Sequence, residues 1–239
     1  MNSRTENIGK KIAESIIKHK QESQAQNISK SFQTEMCYLP TKTVNIFMYL
    51  CNNPCSWTRK IAHDLKISVC SVTEHTRRLL KIGLIEKSET YGKTIYFPDG
   101  MIEKTDIEII FSLQKRNLKN IIITVYNTPG LTYSELSILL KISLASVKRN
   151  INILLKLGLF SKIKDGRLTR IYPTKKIEDL QKRYISRIHI FLNNIIKKLK
   201  IIGLMPHIET TIGQKVMINA QMRAKKITIL FNMNPLTDI

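Results

Sequence analysis

The chain of 239 residues is poor in several things at once. It has no run of about 18 apolar residues, which excludes a transmembrane helix. Its opening stretch, MNSRTENIGKK, carries no apolar signal core, so an intracellular, cytoplasmic protein is expected. Cysteine occurs only at Cys37, Cys51, Cys55 and Cys70, and no second Cys or His pair stands at zinc spacing from Cys51 and Cys55. The expectation is therefore buried free thiols, with no metal and no cofactor. A Walker loop, paired carboxylates in context and a nucleophile–base constellation are all missing, and the chain does not read as an enzyme.

Acidic residues are scarce too. There are 18 of them against 39 Lys and Arg, a net charge of +21. An imbalance of this size implies a polyanionic partner, nucleic acid first and an anionic membrane surface second. The excess is uneven. Residues 41–98 hold 9 basic and 4 acidic side chains, 118–174 hold 9 and 2, and 175–203 hold 8 and 2, whereas 99–117 is slightly acidic with 3 against 4. Hydrophobic residues make up 43%, enough for a packed core.

What the chain does have is a repeat. LKISVCSVTEHTRRLLKIGLIEK from Leu65 matches LKISLASVKRNINILLKLGLFSK from Leu140 at an offset of 75 residues, with Lys66, Ser68, Ser71, Val72, Leu79, Gly83, Leu84 and Lys87 among the identities. The register holds without a gap from Asn52–Pro54 to Pro98. The period is too long for a solenoid unit and suits a small domain duplicated in one polypeptide.

Each copy reads alike. Val44 to Cys51 is a short apolar helix ended at Asn52-Asn53-Pro54. Ser56 or Thr58 can cap a second helix with Ile61, Ala62 and Leu65 inward, and Ser68 caps a third with Val72, His75, Leu79 and Leu80 inward. His75 reads as a packed core histidine. Gly83 ends that helix as a left-handed cap, and a hairpin follows through Leu84–Lys87 and Thr94–Phe97. In the second copy Thr132 and Ser143 cap, Gly158 stops, and Asp165-Gly166 turns the hairpin. Outside the copies, residues 8–34 read as helical, and Thr105 or Asp106 can cap a linker helix through Ile109, Ile110 and Leu113 that continues toward Ile121. Lys175 to Lys200 is a long amphipathic helix with a seam of Ile177, Tyr184, Ile188, Phe191, Ile195 and Ile202. Beyond Leu204 only Thr228 to Phe231 reads as a strand.

Helix, helix, turn, helix and hairpin is the winged helix–turn–helix order. The run SVCSVTEHTRRLLKIGLI from Ser68 resembles the recognition helix and wing entry of the ArsR and MarR-like transcription regulators: a Ser/Thr-rich start, a Val, a Leu seven residues later, then Gly-Leu-Ile. Ser143 to Phe160 fits the same template, and two copies in one chain resemble archaeal-type tandem winged-helix proteins. The fold class expected is mainly α with small β-hairpin wings (α+β). The domains expected are an N-terminal helical segment (1–40), a first winged helix (41–98), a linker helix (99–117), a second winged helix (118–174), a long helix (175–203) and a tail (204–239).

A recognition helix presents its outward side chains to the major groove. In the first copy these are Ser71, Thr73, Glu74 and Arg77; in the second, Ser146, Lys148, Arg149 and Asn152. Glu74 either reads cytosine or marks a looser contact, and Arg149 reads bases or clamps a phosphate. The wing tips add Tyr91 and Lys93 in the first copy and Lys164, Arg167 and Arg170 in the second. The function expected is a double-stranded DNA-binding transcription regulator, nucleoid-associated, without membrane contact, and a homodimer through the 175–203 helix. The alternatives are an architectural, chromatin-like DNA-binding protein and a tandem winged-helix scaffold for protein assembly.

Overall fold

The computed structural model describes residues 39–212, 215–222, 225–232 and 234–236. The helical reading of residues 8–34, and Cys37, lie outside the described residues. The described residues are mixed α and β, with three small antiparallel sheets among them.

The first copy begins with α1 (Thr41–Asn52), followed by β1 (Ser56–Trp57), α2 (Thr58–Leu65), α3 (Val69–Lys81), β2 (Ile85–Thr90) and β3 (Lys93–Pro98). The second runs α5 (Arg116–Asn127), β4 (Leu131–Thr132), α6 (Tyr133–Leu140), α7 (Leu144–Lys156), β5 (Phe160–Asp165) and β6 (Leu168–Pro173). The order is the same, and so is the sheet: β1-β3-β2 in one and β4-β6-β5 in the other. Each hairpin therefore gains a two-residue third strand that the alternation pattern is too short to show.

Local chemistry explains the matching bends. Ser68 and Ser143 Oγ accept the N–H groups of Ser71 and Ser146, at 3.1 and 3.2 Å, capping α3 and α7. Thr132 forms a full capping box with Glu135. Gly83 and Gly158, at φ 68° and 69°, complete paired turns: the N–H of Leu84 reaches Leu79 O while Gly83 reaches Leu80 O, and Leu159 and Gly158 do the same on Leu154 and Leu155. Between the second and third helix of each copy the left-handed residue is a lysine: Lys66 at φ 53° and Lys141 at φ 52°.

Several expectations are corrected. Neither Ser56 nor Thr58 caps α2; Ser56 is paired in β1 with Tyr96, and its Oγ donates to Asn53 O at 2.7 Å. The linker helix does not run on toward Ile121. A short 3₁₀ turn (Lys104–Asp106) leads into α4 (Ile107–Leu113), which stops where Lys115 turns extended, and α5 starts afresh at Arg116. Gln114 Nε2 donates to Pro54 O at 2.9 Å, pinning that corner to the first copy. Thr105 and Asp106 do not cap α4, because the buried Asp106 carboxylate is taken by Tyr184 and Arg183.

The long helix is α8 (Lys176–Ile201), and its seam is filled within the chain: Ile177, Tyr184, Phe191 and Ile195 are buried, and Ile188 and Ile202 are half-buried. The tail is not one strand but three: β7 (Met205–Ile212), β8 (Lys215–Met222) and β9 (Lys225–Asn232), in that spatial order. Val216, Ile218 and Ala220 alternate inward with Ile227, Ile229 and Phe231, and Phe231 meets Phe191 of α8 edge-on at 5.9 Å between ring centres. Each large side chain buried there contributes roughly 1.5–3 kcal/mol. The outer edge of β9 is closed by α1: Asn52 donates to Leu230 O and accepts from Asn232 N–H.

The left-handed positions make a test. Replacing Gly158 by Ala should cost about 1–2 kcal/mol in denaturant unfolding, because a Cβ is disfavoured at that φ. Lys141→Gly should leave stability unchanged or raise it.

Candidate nucleic-acid interface

The outward face of α3 is largely spoken for. Thr73 Oγ1 donates to Val69 O at 3.0 Å, and Arg78 pairs with Glu74 at 2.7 Å. Ser71 is half-buried beside its cap. Arg77 is exposed and makes no hydrogen bond or ion pair with the described residues. Glu74, the odd residue on this face, thus neutralises a neighbouring arginine.

The inward side of α3 holds His75. It is 8% exposed, and its Nδ1 lies 2.9 Å from Thr43 Oγ1 of α1. The same position in α7 is the buried Asn150. Burial pushes the imidazole pKa below its ordinary value, with Arg78 and Lys42 adding to the shift and Glu74 opposing it.

The first wing is docked on its own chain. Tyr91 and Gly92 both take positive φ, 50° and 67°, in a tight turn. The Tyr91 ring stacks on Phe111 of α4 at 5.9 Å, its hydroxyl donates to Glu108, and that bond raises the phenol's pKa. Lys93 Nζ sits 4.2 Å from the centre of the Trp57 ring, a cation–π contact. Tyr91 is still 64% exposed, but its contacts are to the linker.

The second copy is arranged differently. Lys148, Arg149 and Asn152 are exposed along α7, and none pairs with another described residue. Ser146 is half-buried under its cap. Lys164 and Arg167 stand exposed at the wing tip. Arg170 does not join them: it ion-pairs with Asp165 at 2.6 Å and donates to Gly130 O at 3.1 Å, holding the hairpin against the β4 turn. The structure therefore leaves Lys148, Arg149, Asn152, Lys164 and Arg167 exposed and without a partner among the described residues, and leaves Ser71, Thr73, Tyr91, Lys93 and Arg170 engaged locally.

Four lysines were missed. Lys66 and Lys141 are exposed in the turns that feed α3 and α7. Lys156 and Lys162 extend the cationic surface of the second copy, Lys162 sharing its strand face with Lys164. Their signal was legible: Lys66/Lys141, Lys81/Lys156 and Lys87/Lys162 are identities of the repeat. Of the cysteines, Cys51 and Cys55 are buried and burial pushes both thiols up, but Cys70 is exposed, against the expectation of buried thiols. Among the described residues no group of three or more His, Cys, Asp or Glu could hold a metal ion, and no helix is long and apolar enough to cross a membrane.

No protein-family model matches the chain, and no curated protein does. Among solved structures, ZitR of Lactococcus lactis is 21% identical over 51% of this chain and 74% of its own, with a TM-score of 0.24. The transcriptional regulator SlyA is 17% identical over 59% and 96%, at 0.25. The multiple antibiotic-resistance repressor (MarR) of Listeria monocytogenes is 16% identical over 65% and 99%, at 0.24. At this depth of superposition the likeness carries neither fold nor function across.

Two measurements follow from the side chains. The His75 imidazole, held below its ordinary pKa of 6.5, is harder to protonate folded than unfolded. Its share of stability is present above that value and lost as pH falls through the depressed folded pKa. Unfolding free energy should thus drop as pH falls below the ordinary value of 6.5, and His75→Asn should flatten that slope. For the wings, Tyr91→Ala should lower stability by about 0.5–1.5 kcal/mol through the lost stacking, while Lys164→Ala should leave thermal unfolding unchanged.

Proposed function

We propose that the chain is a double-stranded DNA-binding transcription regulator built from two tandem winged-helix domains, at residues 41–98 and 118–174, with α3 and α7 as recognition helices. The observation that carries the reading is the second copy. α7 and its wing present lysines, arginines and an asparagine with no partner among the described residues, on a chain of net charge +21. Cationic side chains left free in this way supply phosphate contacts, and Arg and Asn suit bidentate contacts to guanine and adenine.

The domain 118–174 is the principal reader, and α5 extends it to Arg116. The first domain adds a weaker contact through Arg77 and Lys66, because its helix face and its wing are satisfied within the chain. Two recognition helices already come from one polypeptide. The seam that pointed to a homodimer is spent inside it, so dimerisation through α8 forms no part of the proposal. A nucleoid-associated, cytoplasmic protein follows from the same reading.

A protein-assembly scaffold is the second reading, favoured by one feature. Ile138 and Leu139 of α6 are 76% and 58% exposed, where the first copy has His63 and Asp64. An apolar surface of this kind suits a protein partner.

A low-salt binding titration on duplex DNA separates the two readings. Lys148→Ala with Arg149→Ala should weaken binding about tenfold or more, and Arg77→Ala clearly less. The log–log salt dependence should become shallower by about one unit for each phosphate contact removed. Equal losses, or a larger loss with Arg77→Ala, would refute the ranking. No duplex affinity at all would leave the scaffold.

A further inference from the structure

Helix α8 touches both domains by the same chemistry, once at each end. At its start, Lys176 Nζ donates to the carbonyl of Leu157, the residue that caps the C-terminus of α7, at 2.8 Å. Near its finish, Lys198 Nζ donates to the carbonyl of Gly83, one residue past the C-cap of α3, at 2.5 Å, and also to Asp99. The last carbonyls of a helix have no partner inside it and carry the negative end of its dipole, so an ammonium placed there is held by both bond and field. Each recognition helix therefore has its C-terminal end clamped by a lysine of one and the same helix.

That helix is a stiff element. It runs 26 residues with neither proline nor glycine. Its middle is tied to the linker by Arg183 and Arg187 on Glu103, and by Tyr184 on Asp106. The two clamps stand 22 residues apart in α8, about 33 Å at the α-helical rise. One turn of B-form DNA is about 34 Å, the separation at which two recognition helices enter successive major-groove segments on one side of a duplex.

We propose that α8 is a spacer that sets the distance between the two recognition helices to one turn of duplex DNA, so that a single chain reads two unequal sub-sites at a fixed centre-to-centre distance. The inference rests on the DNA-binding reading above and adds the spacing. The sub-sites are unequal because Lys148, Arg149 and Asn152 face one of them and Arg77 the other.

Selection by the full chain from a pool of random duplexes about 30 base pairs long tests it directly. Two different motifs should be enriched, separated by about 10–10.5 base pairs. A single motif, two motifs at variable spacing, or a spacing near half a turn would overturn the spacer. In the variant Lys176→Met/Lys198→Met both motifs should persist while the spacing spreads. Lys198→Gln alone serves as a milder replacement if the double variant folds poorly. Unchanged spacing in a folded variant would overturn the role of the two clamps. Equal weakening on a duplex of about 10 base pairs, too short for both sub-sites, would show the lysines to be phosphate contacts instead. Retention of no duplex at low salt fails in a different way, and removes the DNA-binding reading along with the spacing.

Discussion

The Asp106 carboxylate is the point from which the rest of the molecule is braced. It is 4% exposed and lies in the acidic linker between two basic units. Tyr184 donates to it at 2.8 Å and Arg183 pairs with it at 2.9 Å, while Glu103 beside it holds Arg183 and Arg187. A carboxylate taken out of water without partners is costly, and here only Asp106 is buried, while Arg183 keeps part of its surface in solvent. The linker and α8 are thereby obliged to meet at one place and in one register. With its middle pinned, the two ends of α8 are carried to the C-termini of α3 and α7, and its far end leads β7–β9 back over α1. The slight acidity of residues 99–117 has its physical role here: it is the counter-charge for α8.

Two copies of one fold have been given opposite surface economies. In the first, charge is consumed internally: Arg78 by Glu74, Lys93 by the Trp57 ring, and the wing tip by α4. In the second, the corresponding surface is left open, apart from the Arg170–Asp165 pair that stiffens the wing. A charge already paired has less to gain from a phosphate than a free one, since it must give up its partner first. The divergence at Thr73-Glu74 against Lys148-Arg149 is therefore a difference in what each unit has to offer, on an unchanged backbone.

Features that depend on a few neighbouring residues were legible. The caps at Ser68, Ser143 and Thr132, the stops at Gly83 and Gly158, and the inward stripes of α3 and α7 all follow from short-range geometry, and the repeat stated them twice. The C-terminal sheet was not read, although Val216-Ile218-Ala220 and Ile227-Ile229-Phe231 alternate strictly. Six positions over two strands are a weak signal without a surface to receive them, and that surface comes from α8 and from α1, the latter far away along the chain. The continuous linker helix failed for the same reason: Gln114 is held by Pro54, sixty residues earlier. Of the candidate residues, Lys148, Arg149 and Asn152 are legible from residue type and helical phase, and Lys164 and Arg167 from the hairpin turn, whereas the commitment of Tyr91 and Arg170 depends on Glu108 and Gly130, which pattern alone does not bring near.

The sequence by itself determined the duplicated unit, its caps and turns, the phase of α3 and α7 and the cationic bias, because hydrogen-bond geometry and hydrophobic period act over a few residues. Only the tertiary structure decided which of those cations remain free, where α8 spends its apolar seam and how far apart its clamps stand, because these depend on which distant groups come within about 3 Å of one another. A lysine is the same residue in both copies; the neighbour it finds in the fold decides whether it braces the protein or faces a partner.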